Sequence, residues 1–128
     1  MSKIKCLCGN VISNVSAPSN TDGWISGDVA NEHSQEDFRN LVSALLQTVN
    51  EVERSKFLTK LFGELYPTDL HDSEVIDDIR DKVFSSRAKS VAECNKCGRI
   101  WIQLTAGGQD YASFAPDSGD ECLGILKF

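Results

Sequence analysis

Four of the five cysteines in this 128-residue chain stand in two pairs, each followed at once by glycine: Cys6-Leu7-Cys8-Gly9 and Cys94-Asn95-Lys96-Cys97-Gly98. The 85 residues between Cys8 and Cys94 hold no cysteine. Paired thiols of this kind have three chemistries open to them: a metal site, a disulfide framework or a redox dithiol. A structural zinc site takes four tetrahedral ligands with Zn–S of about 2.3 Å, and a Cys-x-x-Cys-Gly knuckle supplies two of them from one tight turn. The glycine permits positive φ and lets backbone N–H groups approach the sulfurs. Cys94 and Cys97 fit that pattern in full. With a single intervening residue, Cys6 and Cys8 make a tighter bite, yet two sulfurs still reach one ion. The expectation is one four-cysteine site, with Cys6, Cys8, Cys94 and Cys97 as ligands of a structural Zn2+ that staples the two ends of the chain. Lys96 and Arg99 stand where they ease the negative charge of four thiolates. A disulfide between the pairs is open to an oxidised preparation, and a thioredoxin-like role needs a βαβ context that the strand after Cys97 does not offer.

Little else in the chain has the spacing of a catalytic centre. His33 and His71 are isolated and read as loop or cap residues. Cys122 reads as a small buried apolar residue on a strand. There is no Gly-rich phosphate loop, no nucleophile elbow and no carboxylate dyad. A closed four-sulfur site leaves the metal no open position for substrate, so the expectation is a protein that is not an enzyme.

The elements that must position the cysteines follow from periodicity. Residues 3–15 read as strand, knuckle, strand, through Val11, Ile12 and Val15. Pro18 and Gly23 punctuate a loop, and Trp24-Ile25 is a brief strand or anchored loop, with Trp24 packed on the core. Ser34 with Asp37 resembles an N-cap, and Phe38, Leu41, Val42, Leu45, Leu46 and Val49 then recur as a helical stripe. A second helix over Glu53–Tyr66 aligns Leu58, Leu61, Phe62 and Leu65 before Pro67 stops it. A third follows an Asp72 cap, with Val75, Ile76, Ile79 and Val83 on one face and Phe84 adjoining. Beyond Ser90 the period changes: Val91 leads to the second knuckle, and Ile100, Ile102 and Leu104 alternate with Trp101 and Gln103. A turn at Gly107-Gly108, a strand over 111–115, a turn at 116–119 and a final strand over 123–128 complete the chain. The predicted fold class is α+β. A single domain carries a small antiparallel sheet with a zinc-ribbon-like part (1–33 and 88–128), interrupted by a block of three amphipathic helices (34–87).

Composition bounds the partners. With 41% hydrophobic and 25% charged residues the chain is globular, and no window is apolar enough for a membrane span. Met1 to Lys5 lead into no long apolar stretch, so no secretory signal is expected, and the cytoplasm, where thiols stay reduced, is the expected compartment. The net charge of −6 disfavours nucleic acid, which calls for clustered Lys and Arg. The acids concentrate in DLHDSEVIDDIRD, where Asp69, Asp72, Glu74, Asp77, Asp78 and Asp81 face one arginine.

The residues around the cysteines carry a resemblance. KIKCLCGN, with Cys6, Cys8, Gly9 and Asn10, and CNKCGRIW, with Cys94, Cys97, Gly98, Arg99, Ile100 and Trp101, resemble the two ends of a group of small bacterial split zinc-ribbon proteins. The likeness covers about twenty residues and leaves the helical middle unmatched. It implies a structural zinc and, for some members, a role as immunity proteins against polymorphic toxins such as those of contact-dependent growth inhibition. Taken with the acidic stretch, it implies a protein-binding module that meets a basic toxin domain, such as a nuclease, through those six acids. The alternative is a nucleic-acid-binding or transcription-associated ribbon, with Lys3, Lys5, Lys96 and Arg99 as its basic edge. A metal-dependent structural subunit with no toxin is a third reading.

Overall fold

Hydrophobic periodicity of two different kinds divides this chain, and in a computed structural model it forms two compact units accordingly. The structure describes residues 3–13, 18–117 and 123–127. One unit comprises Met1–Gly27 with Ala88–Phe128, and the other is Asp28–Arg87. The predicted α+β class is the one observed: the described residues form three helices and two small antiparallel sheets, with the four paired cysteines brought together.

In the first unit, β1 (Lys3–Lys5) and β2 (Val11–Ser13) form a two-stranded antiparallel hairpin in which Ile4 faces Ile12. A four-stranded antiparallel sheet follows, in the order β3 (Asp22–Ile25), β4 (Lys89–Glu93), β5 (Ile100–Gln103) and β6 (Tyr111–Phe114). The register pairs Ala92 with both Asp22 and Trp101, which places these three on one face of the sheet, as directly opposed residues share a face. That face packs on the hairpin: Ala92 and Trp101 join Cys6, Ile12, Cys94, Ile4 and Cys97 in one cluster. The opposite face carries Gly23, Val91 and Glu93, and the turn over 123–127 lies against it, with Leu126 touching the Gly23 position.

Two expectations fail in this unit. The last segment is a turn, not a strand, because the carboxylate of Glu93 gathers its backbone. Oε2 accepts from the N–H groups of Gly124 (2.7 Å) and Ile125 (3.1 Å), and Oε1 from that of Leu126 (3.4 Å). Glu93 is 1% exposed, and these bonds are what make a buried carboxylate tolerable. Trp24 does not pack on the core: it stands on edge strand β3 with 69% of its surface exposed. Val15 and Cys122 lie outside the described residues.

The helical unit contains α1 (Asp28–Leu46), α2 (Glu51–Phe62) and α3 (Asp72–Ser85). Leu45, Leu58, Val75, Ile79 and Val83 form its buried centre, with Phe38, Leu41, Val42, Leu61, Phe62 and Ile76 around them. The apolar stripes are thus the predicted ones, but the boundaries move. Helix α1 starts at Asp28, six residues before the expected cap, and an acid in a first turn suits the helix dipole. Ser34 is no cap. It lies mid-helix, 1% exposed, where its hydroxyl donates to the Val83 carbonyl of α3 at 3.5 Å. His33 is accordingly an exposed helical residue, and Val49 falls beyond the helix end.

Helix α2 is capped by Asn50, whose Oδ1 accepts from the Glu53 N–H at 2.9 Å. It ends at Phe62, before Gly63, so Leu65 never joins the stripe and is 100% exposed. Tyr66 instead folds back to stack on Phe62 with ring centroids 4.2 Å apart. The N-cap of α3 is His71 rather than Asp72, in a capping box completed by Glu74.

Candidate metal centre

Each cysteine pair is the turn of a hairpin, and the two turns are built alike. In the first, the Cys6 N–H donates to the Asn10 carbonyl (2.8 Å) and the Gly9 N–H to that of Cys6 (3.0 Å). In the second, the Cys94 N–H donates to the Arg99 carbonyl and the Gly98 N–H to that of Cys94, both at 2.9 Å. Gly9 and Gly98 have φ of 93° and 74°, a region open to glycine and strained for other residues. The glycine after each pair is therefore required by the backbone path that turns both sulfurs inward.

The hairpins bring the four sulfurs together, all within 4.8 Å of one another. Cys6 Sγ lies 3.5 Å from Cys97 Sγ, and Cys8 Sγ lies 3.6 Å from Cys94 Sγ. A disulfide holds its sulfurs at about 2.05 Å. Four thiolates around one tetrahedral ion at a metal–sulfur distance of about 2.3 Å stand about 3.8 Å apart. The spacing is that of a tetrathiolate metal site, and the four are free cysteines. Cys6 and Cys94 are buried and Cys8 is exposed, so the site lies at the edge of its unit.

Electrostatics point to the same chemistry. Burial pushes the Cys94 thiol up, but the Cys97 N–H, the Asn10 side-chain amide and the Lys96 N–H outweigh it and bring its pKa down to about 6. For Cys6, burial is likewise outweighed, first by the Cys8 N–H and then by the Trp101 indole, and the pKa is lowered. For Cys97 the Arg99 N–H lowers the pKa, but burial and the sulfurs of Cys6, Cys94 and Cys8 push it up to about 12. Thiolates this close do not all ionise by themselves, and a cation is what lets the last proton leave. The donor set is all sulfur, which suits a thiophilic ion, and four ligands close the coordination shell.

Two side chains around the cluster escaped sequence reasoning. The Asn10 side-chain amide donates to Cys94 Sγ at 3.4 Å and to Asn95 Oδ1 at 3.0 Å. The Trp101 indole nitrogen is buried close to Cys6 without an aligned hydrogen bond. Both residues belong to the matched motifs, but their types alone do not announce a role beside sulfur. The Arg99 side chain donates to Ser113 Oγ at 3.2 Å.

The six acids do not form one free surface. Asp72 accepts from Arg54 at 3.2 Å, and that same guanidinium donates to the carbonyls of Thr68 (2.8 Å) and Leu70 (2.6 Å). Glu74 accepts from the His71 N–H at 3.0 Å, and Asp78 from the Tyr66 hydroxyl at 2.6 Å. Asp81 has an exposed, loose contact with Arg80 at 3.4 Å. Asp69 and Asp77 are exposed with no ion pair among the described residues. Half of the predicted interface thus holds the fold of the α2–α3 connection and the start of α3.

The profile of a family described as "Domain of unknown function (DUF8617)" matches residues 2–118, and the chain belongs to that family. No curated protein and no solved structure is significantly similar to it.

Proposed function

We propose that this member of the DUF8617 family is a non-enzymatic protein-binding module built on a structural zinc ion, acting in the cytoplasm as an immunity protein that neutralises a basic toxin domain. The observation that carries the structural part is the closed cluster of four sulfurs drawn from both ends of the chain. Zinc suits an all-thiolate tetrahedral set that needs neither redox change nor an open position. The ion would sit among Cys6, Cys8, Cys94 and Cys97, and binding it would contribute directly to folding.

The binding part rests on charge. Four thiolates and one Zn2+ add −2, taking the formal charge from −6 to about −8. A protein this acidic is steered towards basic partners and away from phosphate backbones. Asp69, Asp77 and Asp81 are the acids left facing solvent with little intramolecular work, and they are the contact residues favoured here. Among the basic residues of the nucleic-acid alternative, Arg99 is already engaged by Ser113, which weakens that reading.

Elemental analysis of protein purified under reducing conditions should find one zinc per chain. A folded, metal-free chain would remove the structural half of the proposal. For the binding half, the probe is a basic toxin domain, taken from the neighbouring gene if that gene encodes one. Reversing Asp69, Asp77 and Asp81 together to lysine should weaken its binding at least tenfold at low salt, with helical content unchanged. Unchanged affinity would exclude this acidic surface.

A further inference from the structure

The two cysteine turns are joined by more than sulfur. Asn10 sits just beyond the first turn, where its carbonyl accepts the Cys6 N–H at 2.8 Å. Its side-chain amide reaches the second turn, donating to Cys94 Sγ at 3.4 Å and to Asn95 Oδ1 at 3.0 Å, across 84 and 85 residues of chain. Both of those partners are acceptors, so the amide nitrogen is the end that faces them. One residue therefore clasps both turns with no help from an ion.

Trp101 supplies a complementary observation from the other side of the cluster. It packs on Cys6, Ile12, Ala92 and Cys94 from strand β5. Its indole N–H and the Ser13 hydroxyl are the two buried side-chain polar atoms without a hydrogen-bond partner among the described residues. A buried donor left unpaired is costly, and a native structure normally supplies its acceptor. The candidate acceptor is the sulfur of Cys6, in the cluster on which Trp101 packs. It is a weak acceptor as a thiol and a much better one as a metal-bound thiolate.

We infer that Asn10 and Trp101 are positioning residues of the metal centre, their amide and indole N–H groups donating to the bound thiolates of Cys94 and Cys6. Asn10 holds the two turns in register before the ion arrives, and both donors spread the negative charge of the tetrathiolate once it is bound. Outer partners of metal ligands commonly govern affinity in this way, with losses of about 10–100-fold on their removal. The inference rests on the proposed reading that the four cysteines share one ion.

Cobalt(II) serves as the probe, because its sulfur-to-metal charge-transfer absorption reports the electron density of the thiolates. Trp101→Phe keeps an aromatic ring but removes the N–H together with the pyrrole half of the indole, and Asn10→Leu keeps the branched shape and removes the amide. Each variant should bind cobalt about tenfold more weakly in competition with a chelator. Each should also move the charge-transfer band to lower energy, while far-ultraviolet circular dichroism stays that of the wild type. Packing alone would not move that band. Wild-type affinity and band positions in both variants would overturn the inference and leave the metal site standing, whereas a wild-type chain that binds no cobalt would overturn the metal reading itself.

A measurement on the unaltered chain guards against misfolded variants. Loading with zinc should shift the indole proton resonance of Trp101 downfield and slow its exchange with water. An indole resonance that does not respond to zinc overturns the assignment of Trp101.

Discussion

Cys97 is the residue at which metal binding and proton binding compete. Held up to about 12 by burial and by the sulfurs of Cys6, Cys94 and Cys8, against the pull of the Arg99 N–H, it keeps its proton at neutral pH in the metal-free cluster. Cys94, brought down to about 6, has already lost its own. Capture of an ion by all four sulfurs at neutral pH therefore expels a proton from the coupled cluster. The sign follows: protons compete with the metal, so apparent affinity strengthens as pH rises from about 6 to about 8. Calorimetry in buffers of different ionisation enthalpy should show net proton release, and an affinity that is flat over this range would contradict the assignment. The same residue scale shows what a sequence can reveal. Cysteines with following glycines announce themselves, since few other residues bind soft metals or tolerate that φ. The amide of Asn10, the indole of Trp101 and the carboxylate of Glu93 acquire their roles only when distant segments meet. No local spacing marks them.

Helix stripes are legible in the sequence because a helix must turn one face to a core, whatever its exact ends. The ends are not, because capping residues compete and tertiary contact chooses between them. Ser34 with Asp37 mimics a cap, yet Ser34 is wanted against α3, and Asp37 pairs with Arg87 at 2.8 Å. Tyr66 shows the same principle after α2. The apolar pattern carries the helix as far as this residue, yet it lies beyond Gly63 with its hydroxyl on Asp78 of α3 at 2.6 Å. Burial, that hydrogen bond and the Asp78 charge push the Tyr66 pKa from 10.0 up to about 12. A tyrosine that keeps its proton longer when folded stabilises the fold fully below about pH 10, and loses that contribution as pH rises towards about 12. Tyr66→Phe should cost about 1 kcal/mol at about pH 8 by urea denaturation. The difference from wild type should shrink between about pH 10 and about pH 12, since the phenylalanine variant has no proton to lose there. A difference that stays constant across that window would place the hydroxyl outside the folding linkage.

The two compact units are stabilised by different means, and that difference governs how the molecule would answer loss of the proposed ion. The helical unit gathers five buried aliphatic side chains with nine partly buried ones around them, and no cysteine among them. Among the described residues of the other unit, the buried cluster around the cysteines is Cys6, Ile12, Ala92 and Cys94, so that half of it consists of the proposed metal ligands. Its strands are three to five residues long, and its two segments are separated by the whole helical unit. So small a core is marginal by itself, and joining its segments across a long loop carries an entropic cost that an ion bridging both turns offsets. Both tryptophans, Trp24 and Trp101, belong to this unit, which gives it its own optical signal. Removing metal with a thiophilic chelator under reducing conditions should therefore shift tryptophan emission to longer wavelength. Most of the far-ultraviolet ellipticity, which comes from α1, α2 and α3, should persist. On heating, the chelated protein should show one cooperative loss of helix without a matching change in tryptophan emission, and readdition of zinc should restore the emission. Simultaneous loss of both signals on chelation would mean that the helical unit depends on the metal as well.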